Sequence, residues 1–175
     1  MKRPTLTSQT AMEYYRLPYF GNIDLAAPQD YYSVDIVLQG QKIQLDLIFE
    51  ECISDTVSPE PVKTVLENLY DYAAKAYKTI LNEFKTEATV KGYLEHHLED
   101  VDKNDLDELL TDADKTLPVE EQLLYKLRLE RVGLYPEKEN DFAIFDYTIG
   151  RKVTNYLIVV KFNNEGSVMV LAMES

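Results

Sequence analysis

Residues 32–49 read YSVDIVLQGQKIQLDLIF, two alternating segments on either side of Gly40. Alternation of apolar and polar residues is the pattern of a strand that buries one face. Glycine at the first position of a two-residue loop favours a type II′ turn over Gly40-Gln41, which places Leu38 opposite Ile43. That register puts the apolar residues of both segments on one face, so the stretch predicts a β-hairpin packed on a core.

A helical pattern follows the hairpin. Apolar residues recur at spacings of three and four across residues 59–86, which predicts one long helix. A second helix is expected over residues 88–99, and shorter helices over residues 103–110 and 117–126.

Extended segments dominate the rest of the chain. An alternating segment begins at Leu127, and a slip in its alternation predicts a β-bulge near Arg131. Further strands are expected over residues 142–149, 156–162 and 168–173. The last two are apolar on both faces, which favours central positions in the sheet.

The resulting order is β-β, several helices, then β-β-β-β. Strands, then helices, then strands again are typical of an α+β domain with an antiparallel sheet. We therefore expect a sheet of about six strands packed against the long helix and the shorter ones. Residues 20–175 are interpreted as a single α+β domain, and residues 1–19 as an N-terminal arm.

The charge of the chain restricts its partners. The 175 residues include 18 Lys and Arg against 31 Asp and Glu, a formal net charge of −13. Such a surface repels phosphate groups, so neither nucleic acid nor an anionic membrane is an expected partner, whereas a basic protein is. The single Cys52 cannot form an intramolecular disulfide, and no apolar run approaches the roughly 20 residues of a membrane-spanning helix. These features predict a cytoplasmic protein.

Much of the negative charge lies in one segment. Residues 95–114 contain nine carboxylates against Lys103 alone, a net of −8. Charge of this density steers a basic partner, while its simpler interpretation is a solvated helix face. The predicted partner-binding residues are Glu99, Asp100, Asp102, Asp105, Asp107 and Glu108.

The same segment begins like a calcium-binding loop at Asp100. An EF-hand requires glycine at the sixth position and glutamate at the twelfth, where this chain has Asp105 and Thr111. An EF-hand is therefore excluded, and a weak divalent-ion site is left as an alternative.

Asp146 stands between Phe145 and Tyr147 on a predicted strand. Apolar neighbours can raise the pKa of a carboxyl group and allow it to act as an acid or base. This favours, as an alternative function, a small-ligand-binding protein or hydrolytic enzyme with a pocket between sheet and helices around Asp146 and Tyr147. A structural role, in which Asp146 accepts hydrogen bonds from a nearby turn, is the preferred interpretation.

The two histidines, His96 and His97, are adjacent. Neighbouring residues on a helix point about 100° apart, so they are poorly placed to chelate one metal ion. Both are interpreted as surface or boundary residues near carboxylates. The chain shows no phosphate-binding glycine loop, nucleophile elbow or dinucleotide motif, so no metal, cofactor or catalytic residue is predicted.

Three passages carry a resemblance to a known family. They are residues 19–25 (YFGNIDL), residues 145–150 (FDYTIG), and residues 155–162 (NYLIVVKF) with the closing Met173-Glu174-Ser175. From about Tyr19 to Ser175 the chain resembles an uncharacterised bacterial domain family of unknown function whose members end in a similar Met-Glu-Ser. The resemblance implies a small acidic protein of the kind associated with immunity to bacterial toxins, and it supplies no catalytic residue.

The sequence therefore favours a non-enzymatic interaction domain, a bacterial immunity protein that binds and blocks a basic toxin domain. A ligand-binding or hydrolytic protein is one alternative. A structural homo-oligomer, such as a homodimer paired through an exposed edge strand, is another.

Overall fold

The computed structural model describes residues 14–50 and 58–175. The strands found there are β1 (Tyr14–Leu17), β2 (Gly21–Asp24), β3 (Tyr31–Leu38), β4 (Gln41–Ile48), β5 (Arg128–Leu134), β6 (Ala143–Thr148), β7 (Leu157–Phe162) and β8 (Val168–Glu174). The helices are α1 (Glu60–Glu67), α2 (Leu69–Thr86), α3 (Thr89–Asp100), α4 (Lys103–Leu109) and α5 (Val119–Leu124). Cys52 lies outside the described residues.

Strands β3 to β8 form one six-stranded sheet in the order of the chain. This confirms the predicted α+β fold, although the sheet is only mostly antiparallel. Strands β4 and β5 run parallel because the helices form the long crossover between them. The predicted bulge is confirmed by a register shift between Leu129 and Arg131. In the described ranges, no helix has the length and apolar character needed to cross a membrane.

The C-terminal end of the predicted N-terminal arm forms the first strand of a hairpin whose second strand lies in the predicted domain. Strands β1 and β2 pair antiparallel as a separate two-stranded sheet. Leu17 and Ile23 are buried in the main core, and the hydroxyl group of Tyr15 donates to Glu60 at the start of α1. Residues 1–13 of the predicted arm lie outside the described ranges.

The hairpin of β3 and β4 forms, but the predicted turn is wrong by one residue. Its loop is Gln39-Gly40, with φ of 53° and 77°, the signature of a type I′ turn with glycine second rather than first. Ile36 consequently pairs with Ile43, and Val34 pairs with Leu45. Because the register moves by two positions, the same residues still share one face.

The predicted long helix is divided into α1 and α2 at Asn68. The backbone there has φ of −114° and ψ of 27°, outside the helical region. The side-chain amide of Asn68 donates to the carbonyl oxygen of Thr64 at 2.8 Å. An asparagine side chain that competes for backbone partners in this way favours a helix end over a helix interior.

The core lies between the sheet and α2. Tyr72 on α2 packs against Phe145 and Phe162, and the hydroxyl group of Tyr147 donates to the backbone of Ala73 at 3.0 Å. The buried residues on this face of the strands belong to the same apolar cluster as the helices. We call it the inner face, and the opposite side of the sheet the outer face.

The last strand is placed differently from the prediction. Strand β7 is central, but β8 is an edge strand, with Met169 46% and Val170 42% exposed. Apolar residues on both faces therefore did not indicate a central position here. Strand β8 packs against α2 and α3 on one face, which accounts for part of its apolar character. Homodimerisation through such an edge stays a prediction.

Candidate functional site

The six predicted partner-binding carboxylates lie where α3 ends and α4 begins. Glu99 and Asp100 are the last residues of α3, Asp102 precedes α4, and the other three are on α4. All six residues are exposed, and we call them together the acidic surface: Glu99, Asp100, Asp102, Asp105, Asp107 and Glu108.

Within residues 14–50 and 58–175, few cations neutralise the acidic surface. His96 Nδ1 lies 3.1 Å from Asp100 Oδ2, one turn away along α3. The other five carboxylates make no ion pair with any Lys or Arg of the described residues. Asp102 has a structural task as well, since its Oδ1 accepts a hydrogen bond from the backbone N–H of Asn104 at 2.8 Å and caps α4.

The neighbouring carboxylates of the segment are engaged differently. Asp112 pairs with Lys126, which lowers the pKa of that carboxyl group. Hydrogen bonds from Thr116 lower the pKa of Asp114. The carboxylates that remain without such partners are therefore concentrated in the acidic surface.

Two carboxylates of the acidic surface oppose the helix dipole. Glu99 and Asp100 lie in the last turn of α3, where the helix end already carries partial negative charge. The only basic residue of that turn, His97, is buried. A cation placed here from outside would be attracted by the carboxylates and by the helix end together.

A cleft of about 590 Å³ separates α4 from the segment that follows β6. Asp105 and Glu108 of α4 line one side, and the residues that line the opposite side include Arg128, Arg151 and Lys152. Glu130 also lines the cleft and pairs with Arg151 at 3.8 Å, whereas no ion pair joins a described cation to Asp105 or Glu108. These cations weaken the negative potential at Asp105 and Glu108. The other four carboxylates of the acidic surface do not line this cleft.

An aromatic pair adjoins the acidic surface. The ring of Tyr156, which is 37% exposed, lies edge-on to His96 with 4.9 Å between ring centroids. His96 in turn contacts Asp100. Amphipathic aromatic rings such as that of Tyr156 are enriched at protein-binding surfaces.

His97 is not the surface or boundary residue that the sequence predicts. It is 2% exposed, with Nδ1 at 2.6 Å from the carbonyl oxygen of Tyr93 and Nε2 at 2.7 Å from Thr154 Oγ1. The carbonyl can only accept, so in the neutral ring Nδ1 carries the proton and Thr154 donates to Nε2. Burial lowers the pKa of His97. The residue thus ties α3 to the segment before β7.

Asp146 and Tyr147 are neighbours on β6, and their side chains lie on opposite faces of the sheet. Tyr147 is buried against α2 on the inner face, and burial raises the pKa of its hydroxyl group. Asp146 lies on the outer face, where Arg131 Nη1 donates to its Oδ2 at 2.8 Å. The structure therefore does not bring these two residues together in one pocket.

Arg131 connects three strands of the outer face, an arrangement that the sequence interpretation missed. Its Nε donates to Asp46 Oδ2 on β4 at 2.5 Å, and its Nη1 donates to Asp146 on β6. Gly133 makes room for it, because a Cβ atom there would lie 2.9 Å from Arg131 Nη2. A larger residue at position 133 would displace the guanidinium group.

The pKa values of Asp46 and Asp146, the two carboxylates that share Arg131, are shifted in opposite directions. Burial alone would raise the pKa of Asp46, but hydrogen bonds from Arg131, Gln44 and Tyr31 outweigh it and lower the pKa. Burial dominates at Asp146 and raises its pKa, since Arg131 provides its only side-chain hydrogen bond within the described residues. This cluster is charged, closed and internally paired, which suits a structural role better than catalysis.

No group of three or more His, Cys, Asp or Glu side chains in the described ranges is arranged to hold a metal ion. Comparisons with protein-family models, with curated proteins and with solved structures found no match.

Proposed function

We propose that this chain is a non-enzymatic protein-interaction domain that binds a basic partner through the acidic surface. The observation that carries the proposal is the exposure of six carboxylates, five of them without a Lys, Arg or His partner among the described residues. Carboxylates in this state are already solvated, but they gain from an incoming cation without first breaking an internal ion pair.

Binding proceeds from long-range attraction to close contact. The net charge of the chain and the acidic surface accelerate the encounter with a cationic partner. Tyr156 and His96 then supply the desolvated contact, since aromatic anchors carry a large share of interface energy. Glu99 and Asp100 add the attraction of the helix end.

We further propose that the partner is a bacterial toxin domain with a cationic cleft, and that the chain acts as its immunity protein in the cytoplasm. This assignment rests on the resemblance stated for residues 19–25, 145–150 and 155–162, to which no family model adds support. Blocking a cationic cleft needs opposite charge and shape rather than catalytic residues. A function without catalytic residues agrees with the pairing of the buried carboxylates Asp46 and Asp146 with Arg131.

The proposal is tested by titrating the chain against a basic toxin domain sought among the products of the adjacent genes, with heat of binding and toxin activity measured at several salt concentrations. The test variant neutralises the unpaired charge but leaves the cap of α4 and the His96 pair intact. It carries Glu99→Gln, Asp105→Asn, Asp107→Asn and Glu108→Gln. We expect Kd to rise about 10-fold or more, which is about 1.4 kcal/mol, with a shallower salt dependence and loss of toxin inhibition.

A matched control changes the net charge by the same amount elsewhere. It carries Asp71→Asn, Glu87→Gln, Glu139→Gln and Glu165→Gln, four exposed residues without an ion-pair partner among the described residues. We expect this control to retain most of the affinity. Equal affinities for the two variants would remove the acidic surface from the interface.

A further inference from the structure

A cavity of about 370 Å³ opens between the tip of the β3–β4 hairpin and the middle of α2. Its volume falls in the range of small-molecule sites, which is about 300–1,000 Å³. None of the six residues of the acidic surface lines it, so occupation of this cavity is independent of the proposed function.

The floor of the cavity is buried and apolar. The buried residues that line it are Ile43, Ala73, Leu127, Leu129 and Tyr147. The polar groups near the floor are already occupied, since Tyr147 donates to Ala73 and the amide of Gln41 donates to the carbonyl oxygen of Leu129 at 2.9 Å. The floor therefore offers dispersion contacts and few hydrogen bonds to an occupant.

The rim of the cavity is exposed and polar. Its exposed residues are Gln39, Ala74, Lys78 and Arg128. Lys78 has no ion-pair partner within the described ranges, although the chain has many more carboxylates than cations. Arg128 also lines the cleft beside α4, where its Nη2 lies 3.6 Å from the position that a Cβ atom of Gly150 would take. Lys78 does not line that cleft and is the rim cation on which we base the argument.

Tyr77 adds a donor beside Lys78. It lines the cavity, stacks on Tyr147 with 6.2 Å between ring centroids, and its hydroxyl group makes no hydrogen bond to another described residue. Burial raises its pKa, so this hydroxyl group stays protonated and able to donate. An apolar floor with a cation and a hydroxyl donor at the rim matches a molecule with an apolar body and one anionic end.

We propose that this cavity binds a small amphiphilic carboxylate, with its apolar body against Leu129 and Tyr147 and its carboxylate near Lys78 and Tyr77. A phosphate-rich ligand does not fit, because Lys78 and Arg128 are the only cations among the described residues of the rim, in a strongly acidic protein. A purely apolar ligand would leave Lys78 and the Tyr77 hydroxyl group unused.

The experiment uses the full chain and two probes that differ only at the polar end, decanoate and 1-decanol. Binding is followed by calorimetry below the micelle concentration, and the site is mapped by NMR shifts of residues that line the cavity. We expect saturable one-to-one binding of decanoate, at least 10-fold tighter than 1-decanol. Absence of saturable decanoate binding, or equal affinity for the alcohol, would overturn the proposal.

Three variants locate the site. Lys78→Gln should weaken decanoate about 10-fold and leave 1-decanol unchanged, and Ala74→Phe, which fills the rim, should weaken both probes. Lys85→Gln, another exposed lysine of α2 that does not line the cavity, should change neither. Both cavity substitutions are at exposed positions, and an unchanged circular dichroism spectrum verifies that they fold. Equal effects of Lys78→Gln and Lys85→Gln would also contradict the proposal.

Discussion

Phe145 and Asp146 are consecutive residues of β6, and they meet opposite surroundings. Phe145, 0% exposed, packs against Phe162 and Tyr72 on the inner face. Asp146, 5% exposed, accepts a hydrogen bond from Arg131 on the outer face. Burial is thus nearly equal for these two residues, while the interactions that achieve it are apolar for Phe145 and ionic for Asp146.

This difference determines how each face responds to substitution. Apolar packing is non-directional, so the inner face loses stability roughly in proportion to the volume removed. In a buried ionic cluster the cost of a substitution depends on which member is removed and on how many hydrogen bonds that member makes, because the remaining partners are left desolvated. The outer face should therefore be sensitive to chemistry more than to volume.

The largest effect is expected from Phe145→Ala. It removes a fully buried ring that contacts Phe162 at 5.2 Å between centroids, and should lower the free energy of unfolding by about 3–5 kcal/mol. Ile144→Ala, the adjacent and half-buried residue of the outer face, is the control and should cost about 1 kcal/mol. Urea unfolding followed by circular dichroism measures both. Similar losses would mean that the outer face is held by apolar packing too.

The next largest loss of stability should distinguish Asp46 from Asp146, the two buried carboxylates of the outer face. Asp46 accepts hydrogen bonds from Arg131, Tyr31 and Gln44, whereas burial raises the pKa of Asp146 and disfavours its ionised form. At pH 7, Asp46→Asn should cost about 1.5–3 kcal/mol and Asp146→Asn less than about 1 kcal/mol. Denaturant unfolding of the two isosteric variants gives the comparison directly.

The contributions of Asp46 and Asp146 to the free energy of unfolding should change with pH in opposite directions. The pKa of Asp46 is lowered in the folded state, so its stabilisation is present above the ordinary carboxyl pKa and is lost as the pH falls through the folded value. The raised pKa of Asp146 acts in the opposite direction, favouring the folded state as the pH falls. Asp46→Asn should therefore lose less stability on acidification than the wild type. If Asp146→Asn loses more stability at pH 7 than Asp46→Asn does, then Asp146 rather than Asp46 is the carboxylate that stabilises the fold in its ionised form.

The sequence predicts most of the fold because the residues that face the core are apolar, and their spacing along the chain follows the period of a strand or of a helix. The period-two segments became strands and the three-four spacing became helices, with the bulge near Arg131 at the slip in alternation. The break at Asn68 was missed because it depends on competition between the Asn68 side chain and the backbone. The loop at Gln39-Gly40 was missed because both type I′ and type II′ turns accept glycine, at different positions of the loop. The parallel pairing of β4 and β5 was missed because it depends on contacts between strands far apart in sequence.

The candidate site was predictable in part. Charge density along residues 95–108 indicated an exposed acidic surface, since carboxylates are rarely buried unpaired. The cations across the cleft, Arg151 and Lys152, are distant in sequence and gave no local signal. Arg131 and Asp46 could have been paired only from knowledge that β4 and β5 are neighbours.

His97 tests whether a buried neutral polar side chain is also sensitive to its chemistry more than to its volume. Burial lowers its pKa, so its contribution to stability is present above the ordinary histidine pKa of about 6.5 and falls as the pH drops below it. Wild type should lose more stability between pH 7.5 and pH 5.5 than His97→Gln does. The control Lys91→Gln, at an exposed residue of the same helix, should behave like the wild type. If His97→Gln keeps the wild-type pH dependence, another group titrates in this range.

The smallest effect concerns charge that is neither buried nor paired. Glu99 lies in the last turn of α3, so Glu99→Gln should raise the free energy of unfolding by about 0.3–1 kcal/mol at low salt, and the gain should shrink as salt is added. Glu95→Gln, also exposed but one turn earlier on α3, is the matched control and should change stability less. Thermal unfolding at two salt concentrations measures both. A stabilising Glu99→Gln that also weakens partner binding would show that α3 keeps an unfavourable charge for recognition, whereas a destabilising one would mean that Glu99 supports the fold.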